Sequence, residues 1–214
     1  MEIDWFGHAC FRLHSREGTL ITDPYSKEIG LNFARPRGDI VTISHDHPGH
    51  NFAKGVKGDP KVITGPGEYE VKNVFVTGVP SAHDKKGGKE RGKNTIYVID
   101  TDGLTICHLG DLGHVPAQTQ AEALGNVNVL LIPVGGVSTI GASEAAEIVS
   151  MLEPNIVIPM HFQHDHLGFK LDPVAKFFKE MGIKASEAVE SIKVTKDSLP
   201  SETQVVLLQA KQKE

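Results

Sequence analysis

The sequence predicts an α/β protein of the α+β kind, a sandwich of two sheets with helices on the outside. Three observations carry that expectation. Short apolar runs broken by turn residues fill the chain as far as His108. From Val127 onward, buried strands alternate with helical patterns. Strand-rich stretches occur in both halves, which favours two related sheets over one doubly wound sheet.

The elements follow in order. Ile3–Phe6, Cys10–His14 and Thr19–Thr22 read as strands, with Arg16-Glu17-Gly18 as a hairpin turn. Ile40–Ser44, Val62–Thr64 and Val74–Val79 come next. Thr95–Asp100 and Leu104–His108 form a hairpin across Thr101-Asp102-Gly103. Val127–Pro133 is almost continuously apolar, as a strand covered on both faces is. Ser143–Leu152 has helical spacing, with Ser143 placed to cap it and Pro154 to end it. Ile156–Met160 is another buried strand, and Pro173–Met181 is a helix stopped by Gly182. Strands near Ile192–Val194 and Val205–Leu208 close the chain.

A chain of 214 residues suits a single domain over 1–214. Its net charge of −5 offers no global basic field, which disfavours nucleic acid as a partner. The N-terminus carries two acids and no signal-like apolar core, and no apolar run reaches the roughly 18 residues a membrane helix needs. The expectation is therefore a cytoplasmic protein without a membrane partner. Cys10 and Cys107 lack paired-motif spacing and are expected to be reduced and buried.

The histidines carry the chemistry. His45, His47 and His50 follow the apolar strand Ile40-Val41-Thr42-Ile43, so they sit in a loop at a strand end. Neutral imidazole is a favoured zinc ligand, and histidines two apart in a loop can turn toward one point. Other metal-type ligands recur at strand ends: His83 after Val74–Pro80, Asp111 after Leu104–His108, and His161 after Ile156–Met160. Singly each is weak. Together they repeat one pattern, a buried strand delivering a ligand at its end.

With these residues in this order, the sequence resembles the metallo-β-lactamase superfamily, whose pattern is HxHxDH, a distant His, an Asp or Cys, and a final His. The resemblance covers nearly the whole chain and implies a four-layer αββα sandwich. Gly7-His8-Ala9, Gly65-Pro66-Gly67-Glu68-Tyr69-Glu70, Arg91-Gly92-Lys93-Asn94 and Pro133-Val134-Gly135-Gly136 look like the branch near the ascorbate-phosphate lactonases. The resemblance implies a first metal site of His45, His47 and His83, with Asp111 near or bridging, and a second of His50 and His161. Asp23, in Thr22-Asp23-Pro24, looks like the family's early Asp. Asp23, Asp84 and His8 are expected to support the site as outer hydrogen-bond partners, His8 at its edge. Asp46 and Asp111 are the expected catalytic acids, and Arg91 and Asn94 the expected substrate contacts.

One position departs from the family. The Asp between the second and third histidines falls on Gly49, which has no side chain to bind a second metal. Three histidines plus water already make a complete catalytic zinc set. One well-occupied Zn²⁺ site and a weak or empty second are therefore expected, with Mn²⁺, Ni²⁺ or Fe also suited to such ligands. His164 and His166 stand nearby as spare donors or as parts of a solvated loop. The implied activity is a metal-dependent hydrolase using a metal-activated water on an ester, lactone or phosphoester of a small anionic substrate. The alternatives are a metal-dependent nuclease and a metal-binding protein impaired by Gly49. The lysine-rich stretch from Asp84 to Asn94 reads as a flexible hairpin tip, and a homo-oligomer is left open.

Overall fold

In chain order the strands are β1 (Glu2–Gly7), β2 (Cys10–His14), β3 (Thr19–Thr22), β4 (Ile40–Ile43), β5 (Lys61–Thr64), β6 (Gly67–Val71), β7 (Val74–Ala82), β8 (Lys93–Thr101) and β9 (Leu104–His108). Helix α1 (Gln118–Leu124), β10 (Val129–Pro133), α2 (Ala142–Leu152), β11 (Ile156–Met160), α3 (Ala175–Glu180), β12 (Ile192–Lys193) and β13 (Gln204–Val205) complete the set. The computed structural model describes residues 1–212. Two mixed sheets result, ordered β12-β1-β2-β3-β4-β5 and β13-β11-β10-β9-β8-β7-β6.

One core joins them. Ile3, Trp5, Phe11, Leu13 and Ile40 of the first sheet pack with Ile96, Tyr97, Ile106, Leu130 and Ile158 of the second, all almost fully buried. Each such side chain removed from water contributes about 1.5–3 kcal/mol before entropy is counted. Every residue of β10 and β11 is buried, as their unbroken apolar runs require. Ile148 and Val149 of α2 and Phe177 of α3 join the same core. The other face of the first sheet carries Phe6, Cys10, Ile21 and Val41. These are covered by Tyr25, Ile29, Leu31, Phe33 and Val56 from the segment between β3 and β5, which holds two short 3₁₀ turns.

Strand direction gathers the site. β1 and β3 each run antiparallel to β2, and β3 is parallel to β4. In the second sheet β9, β10 and β11 are parallel, and β7 and β9 each run antiparallel to β8. So β1, β3 and β4 share one direction, as do β7, β9 and β11. Their C-terminal ends release His8, Asp23, the His45–His50 loop, His83, Asp111 and His161. Two hydrogen bonds tie the sheets together there: Thr95 N–H donates to Ser44 O at 2.9 Å, and His161 N–H donates to His8 O at 3.1 Å.

Several local expectations shift. α2 starts one residue early, and Ser143 lies inside it; Gly141 N–H donates instead to the Glu144 carboxylate at 3.0 Å. α3 is shorter than its apolar pattern, and β13 covers only Gln204–Val205. β6 and α1 carried too little signal to be foreseen. The β6–β7 hairpin turns at Lys72-Asn73, both at positive φ (53° and 58°), rather than at the Asn-Gly or Asp-Gly that usually marks such a turn. α1 buries only Ala121 and Leu124. Cys10 and Cys107 are free and buried. Among the described residues, no helix is long and apolar enough to cross a membrane.

Candidate metal centre

Asp111 Oδ2 sits amid four imidazoles. Its distances to the Nε2 atoms of His50, His161, His83 and His45 are 3.2, 3.3, 3.4 and 3.8 Å. Burial alone would raise the carboxyl's pKa. The neighbouring His161 and His50 outweigh it, so Asp111 is held well below the usual carboxylate range. Its backbone N–H donates to Asn94 Oδ1 at 3.0 Å, which fixes the loop that carries it.

The ligand-type atoms fall into two trios, His45/His47/His83 and His8/His50/His161, each with its atoms within 4.8 Å of one another. The sequence placed the first trio and two members of the second. It cast His8 as an edge residue, whereas the structure puts His8 inside the second trio. The signal was present: His8 also follows a strand end. His164 and His166 stay outside both trios; His164 packs edge-on to Trp5 and bonds Asp165 O at 2.8 Å.

Asp23 is the expected outer partner, and its geometry shows how it works. It is fully buried, at φ 36°. Oδ1 accepts Ser44 N–H at 2.8 Å, while Oδ2 accepts Ser44 Oγ–H at 2.5 Å and His50 Nδ1–H at 2.8 Å. Ser44 Oγ in turn lies 2.9 Å from His45 Nδ1. With its own hydrogen committed to Asp23, that hydroxyl accepts His45 Nδ1–H. Asp23 thus fixes one tautomer in each trio, turning the Nε2 atoms of His45 and His50 to the cluster. A third grouping of Asp23 with His45 and His50 is accounted for by these bonds.

Electrostatics mark the cluster as a place for positive charge. Burial opposes a charged His50, but the charge of Asp111 and hydrogen bonds to Asp111 and Asp23 outweigh burial and push its pKa up to about 10. Burial, together with the like charge of His50, takes His45 down to about 3. Burial likewise lowers His83 and His8. Asp111 Oδ1 and His45 Nε2 are buried without a hydrogen-bond partner. The neutral imidazoles of His45, His83 and His8 and the ionised carboxylate of Asp111 are a donor set that fits a divalent transition metal, whose charge would replace the proton held by His50.

The remaining candidates divide. Arg91 lines a cleft of about 570 Å³ with His8, Ile29, His47, His83, Asp111, His161 and Phe169, and its guanidinium Nη1–H donates to Val137 O at 2.8 Å. Asn94, expected to touch substrate, is buried. Its amide donates to Ser81 Oγ and Leu109 O while its oxygen holds Asp111 N–H, so it has no atom to spare and serves to position Asp111. Asp46 is exposed, accepts from Asn51 Nδ2 at 2.6 Å, and does not line that cleft. Asp84 orients no imidazole. It accepts backbone N–H groups from Lys86, Gly88, Glu90 and Arg91, which lower its pKa below the usual range and pin the loop expected to be a flexible tip.

Comparison with known proteins gives the family to which this fold belongs. The family model described as the beta-lactamase superfamily domain matches residues 2–161. The chain belongs to the metallo-β-lactamase superfamily, and it is a metal-dependent hydrolase. Its relatives narrow the group: a UPF0173 protein of Pyrococcus furiosus is 31% identical over 76% of this chain and 83% of its own length. A UPF0173 metal-dependent hydrolase of Pyrococcus abyssi is 29% identical over 88% of this chain and 96% of its own. A Thermotoga maritima structure, described as a Zn-dependent hydrolase of the metallo-β-lactamase superfamily, superposes with a TM-score of 0.80. It is 38% identical, and the match covers 97% of each chain.

Proposed function

We propose that this chain hydrolyses an ester, lactone or phosphoester bond of a small anionic substrate bound in the cleft over Asp111. The carrying observation is the make-up of that cleft. Its floor is the histidine cluster, its wall includes Ile29, Pro48 and Phe169, and the Arg91 guanidinium stands at its rim. A largely apolar wall that also carries Glu28, with Arg91 as its one arginine or lysine among the described residues, suits a compact substrate that turns a carboxylate or phosphate toward Arg91. The volume of about 570 Å³ is that of a small-molecule pocket.

The histidine trios, sharing Asp111, would hold divalent metal, which would supply Lewis-acid polarisation of the scissile bond and lower the pKa of water from about 15.7 toward 7. Zinc is the metal proposed, because the donors are predominantly imidazole. The chain's own residues do the rest. Asp111 stays ionised, and its free Oδ1 can accept a hydrogen bond from an attacking water. Asp23 holds His50 directly, and His45 through Ser44, in the tautomer that faces the cluster. Arg91, with its backbone N–H tied to Asp84, binds the substrate anion. The free cysteines fit a reducing compartment, and the cytoplasm is the one proposed.

The test is a panel of lactones, carboxylic esters, phosphodiesters and single-stranded RNA, run on wild type and Arg91→Ala. Charge-assisted hydrogen bonds contribute about 1.5–3 kcal/mol. Arg91→Ala should therefore raise KM for an anionic substrate roughly 10–100-fold with kcat largely kept. Turnover of RNA alone, or an Arg91→Ala variant with unchanged KM, would overturn this reading.

A further inference from the structure

Gly49 stands where the superfamily motif has a carboxylate, and the structure shows what occupies the vacated space. A Cβ built on Gly49 would lie 2.8 Å from His8 Nε2 and 3.2 Å from His8 Cδ2. The imidazole of His8 therefore fills the volume in which a side chain at position 49 would begin. The two residues are 41 positions apart by their numbers and reach the rim on different strands, β1 and the loop after β4.

The ring is placed as a ligand would be. His8 Nε2 lies 3.1 Å from His50 Nε2. Two nitrogens bound to one ion at about 2.0–2.1 Å, with octahedral or tetrahedral angles, stand roughly 2.8–3.4 Å apart. Because His50 Nδ1–H is committed to Asp23, Nε2 is the atom His50 has left for a shared cation. The His8 and His161 rings are 4.2 Å apart between centroids. His8 is buried, with φ at 53°, and its carbonyl accepts both Trp5 Nε1–H at 3.0 Å and His161 N–H at 3.1 Å. Those bonds hold the backbone of His8 against the strand end that carries His161, so the ring is in place before any ion arrives.

We propose that His8 is a metal ligand that replaces the carboxylate absent at Gly49, so that His8, His50 and His161, sharing Asp111, form a complete second metal site. The chain then binds two metals, not one. This rests on the metal-dependent reading but not on which bond is cleaved.

The proposal is tested by metal counting on wild type, His8→Ala and the double variant His8→Ala/Gly49→Asp after loading with Zn²⁺ or Co²⁺ and removal of excess. Wild type should hold two ions per chain, and His8→Ala about one. The double variant should return to two, because Gly49 is not at positive φ and Asp fits once the ring is gone. By Co²⁺ titration, the second ion should weaken in His8→Ala by more than the roughly 10–100-fold that loss of an outer hydrogen-bond partner costs. Gly49→Asp alone should bind no better than wild type, since its side chain meets the ring. Thermal unfolding of the metal-free proteins checks that each variant folds, and His8→Gln replaces His8→Ala if the cavity proves too costly. Two ions retained without His8, one ion in wild type and variant alike, or no recovery in a folded double variant would each overturn the proposal. All readouts are metal counts and spectra, so a failed substrate panel leaves them intact.

Discussion

The two histidine trios face one carboxylate but are built differently. In the first, His45 and His47 lie two residues apart in one loop, His47 is exposed, and only His83 comes from the second sheet. In the second, His8, His50 and His161 are all buried and come from three strand ends on both sheets. The first trio is largely a local feature of a loop. The second exists only when the sheets have packed, and the His161-to-His8 backbone bond is part of that packing. The difference teaches that a motif can lose a ligand locally and recover one from a distant strand at the same point in space.

The largest expected effect breaks the distinction between the trios. Asp23→Asn offers one oxygen where Asp offers two. If that oxygen keeps Ser44 N–H, the amide nitrogen faces Ser44 Oγ and His50 Nδ1, both of which now have to accept. His50 then carries its proton on Nε2. Ser44 Oγ donates to His45 Nδ1, so His45 flips too. Each trio loses a lone pair, and metal affinity should fall roughly 10–100-fold at both sites. Competition with a chelating dye reads the affinities, and nitrogen shifts of the imidazoles read the tautomers. A loss confined to one site would show that Asp23 serves that trio alone.

This relay also marks the limit of what the sequence disclosed. The strand ends, the five histidines of the motif and Asp111 were legible because each follows an apolar run, and the run dictates a buried strand. Asp23 was legible through the family pattern. His8 also ends a strand, but its part became clear only when β1 and β4 were placed in one sheet beside a glycine with no side chain. Asn94 was misassigned because position along the chain cannot tell an amide facing the cleft from one folded under it. Asp84 was misassigned for the same reason. An acid beside a ligand looks like its orienting partner until its four backbone donors are seen.

A middle-sized effect should touch both trios equally, through Asp111. Asn94→Ala leaves Asp111 N–H and Leu109 O without their side-chain partners in a buried setting. Such a loss costs about 1–3 kcal/mol. Thermal unfolding of the metal-free protein should record it. Turnover should fall with KM nearly unchanged, because Asn94 holds the carboxylate and not the substrate. A selective rise in KM would return Asn94 to the substrate contacts.

The smallest effect should spare both trios and reach only Arg91. Asp84 holds its loop as an ionised acceptor. Its pKa is depressed mainly by the Arg91 N–H, against some opposition from burial, and further by Glu90, Lys86 and Gly88. A depressed folded-state pKa means that the contribution is present above the unfolded carboxylate value and is lost only as pH falls through the lower folded one. The loop should therefore stay ordered through the range in which ordinary surface carboxylates titrate. Asp84→Asn removes the charge but keeps one acceptor oxygen, so the loop should loosen rather than unfold. Hydrogen exchange at residues 86–91 should accelerate, and KM for an anionic substrate should rise by less than the roughly tenfold lower bound expected for Arg91→Ala. The metal count should stay at the wild-type value. A drop in that count would mean that Asp84 acts on adjacent His83, and so on the first trio, rather than on the loop that carries Arg91.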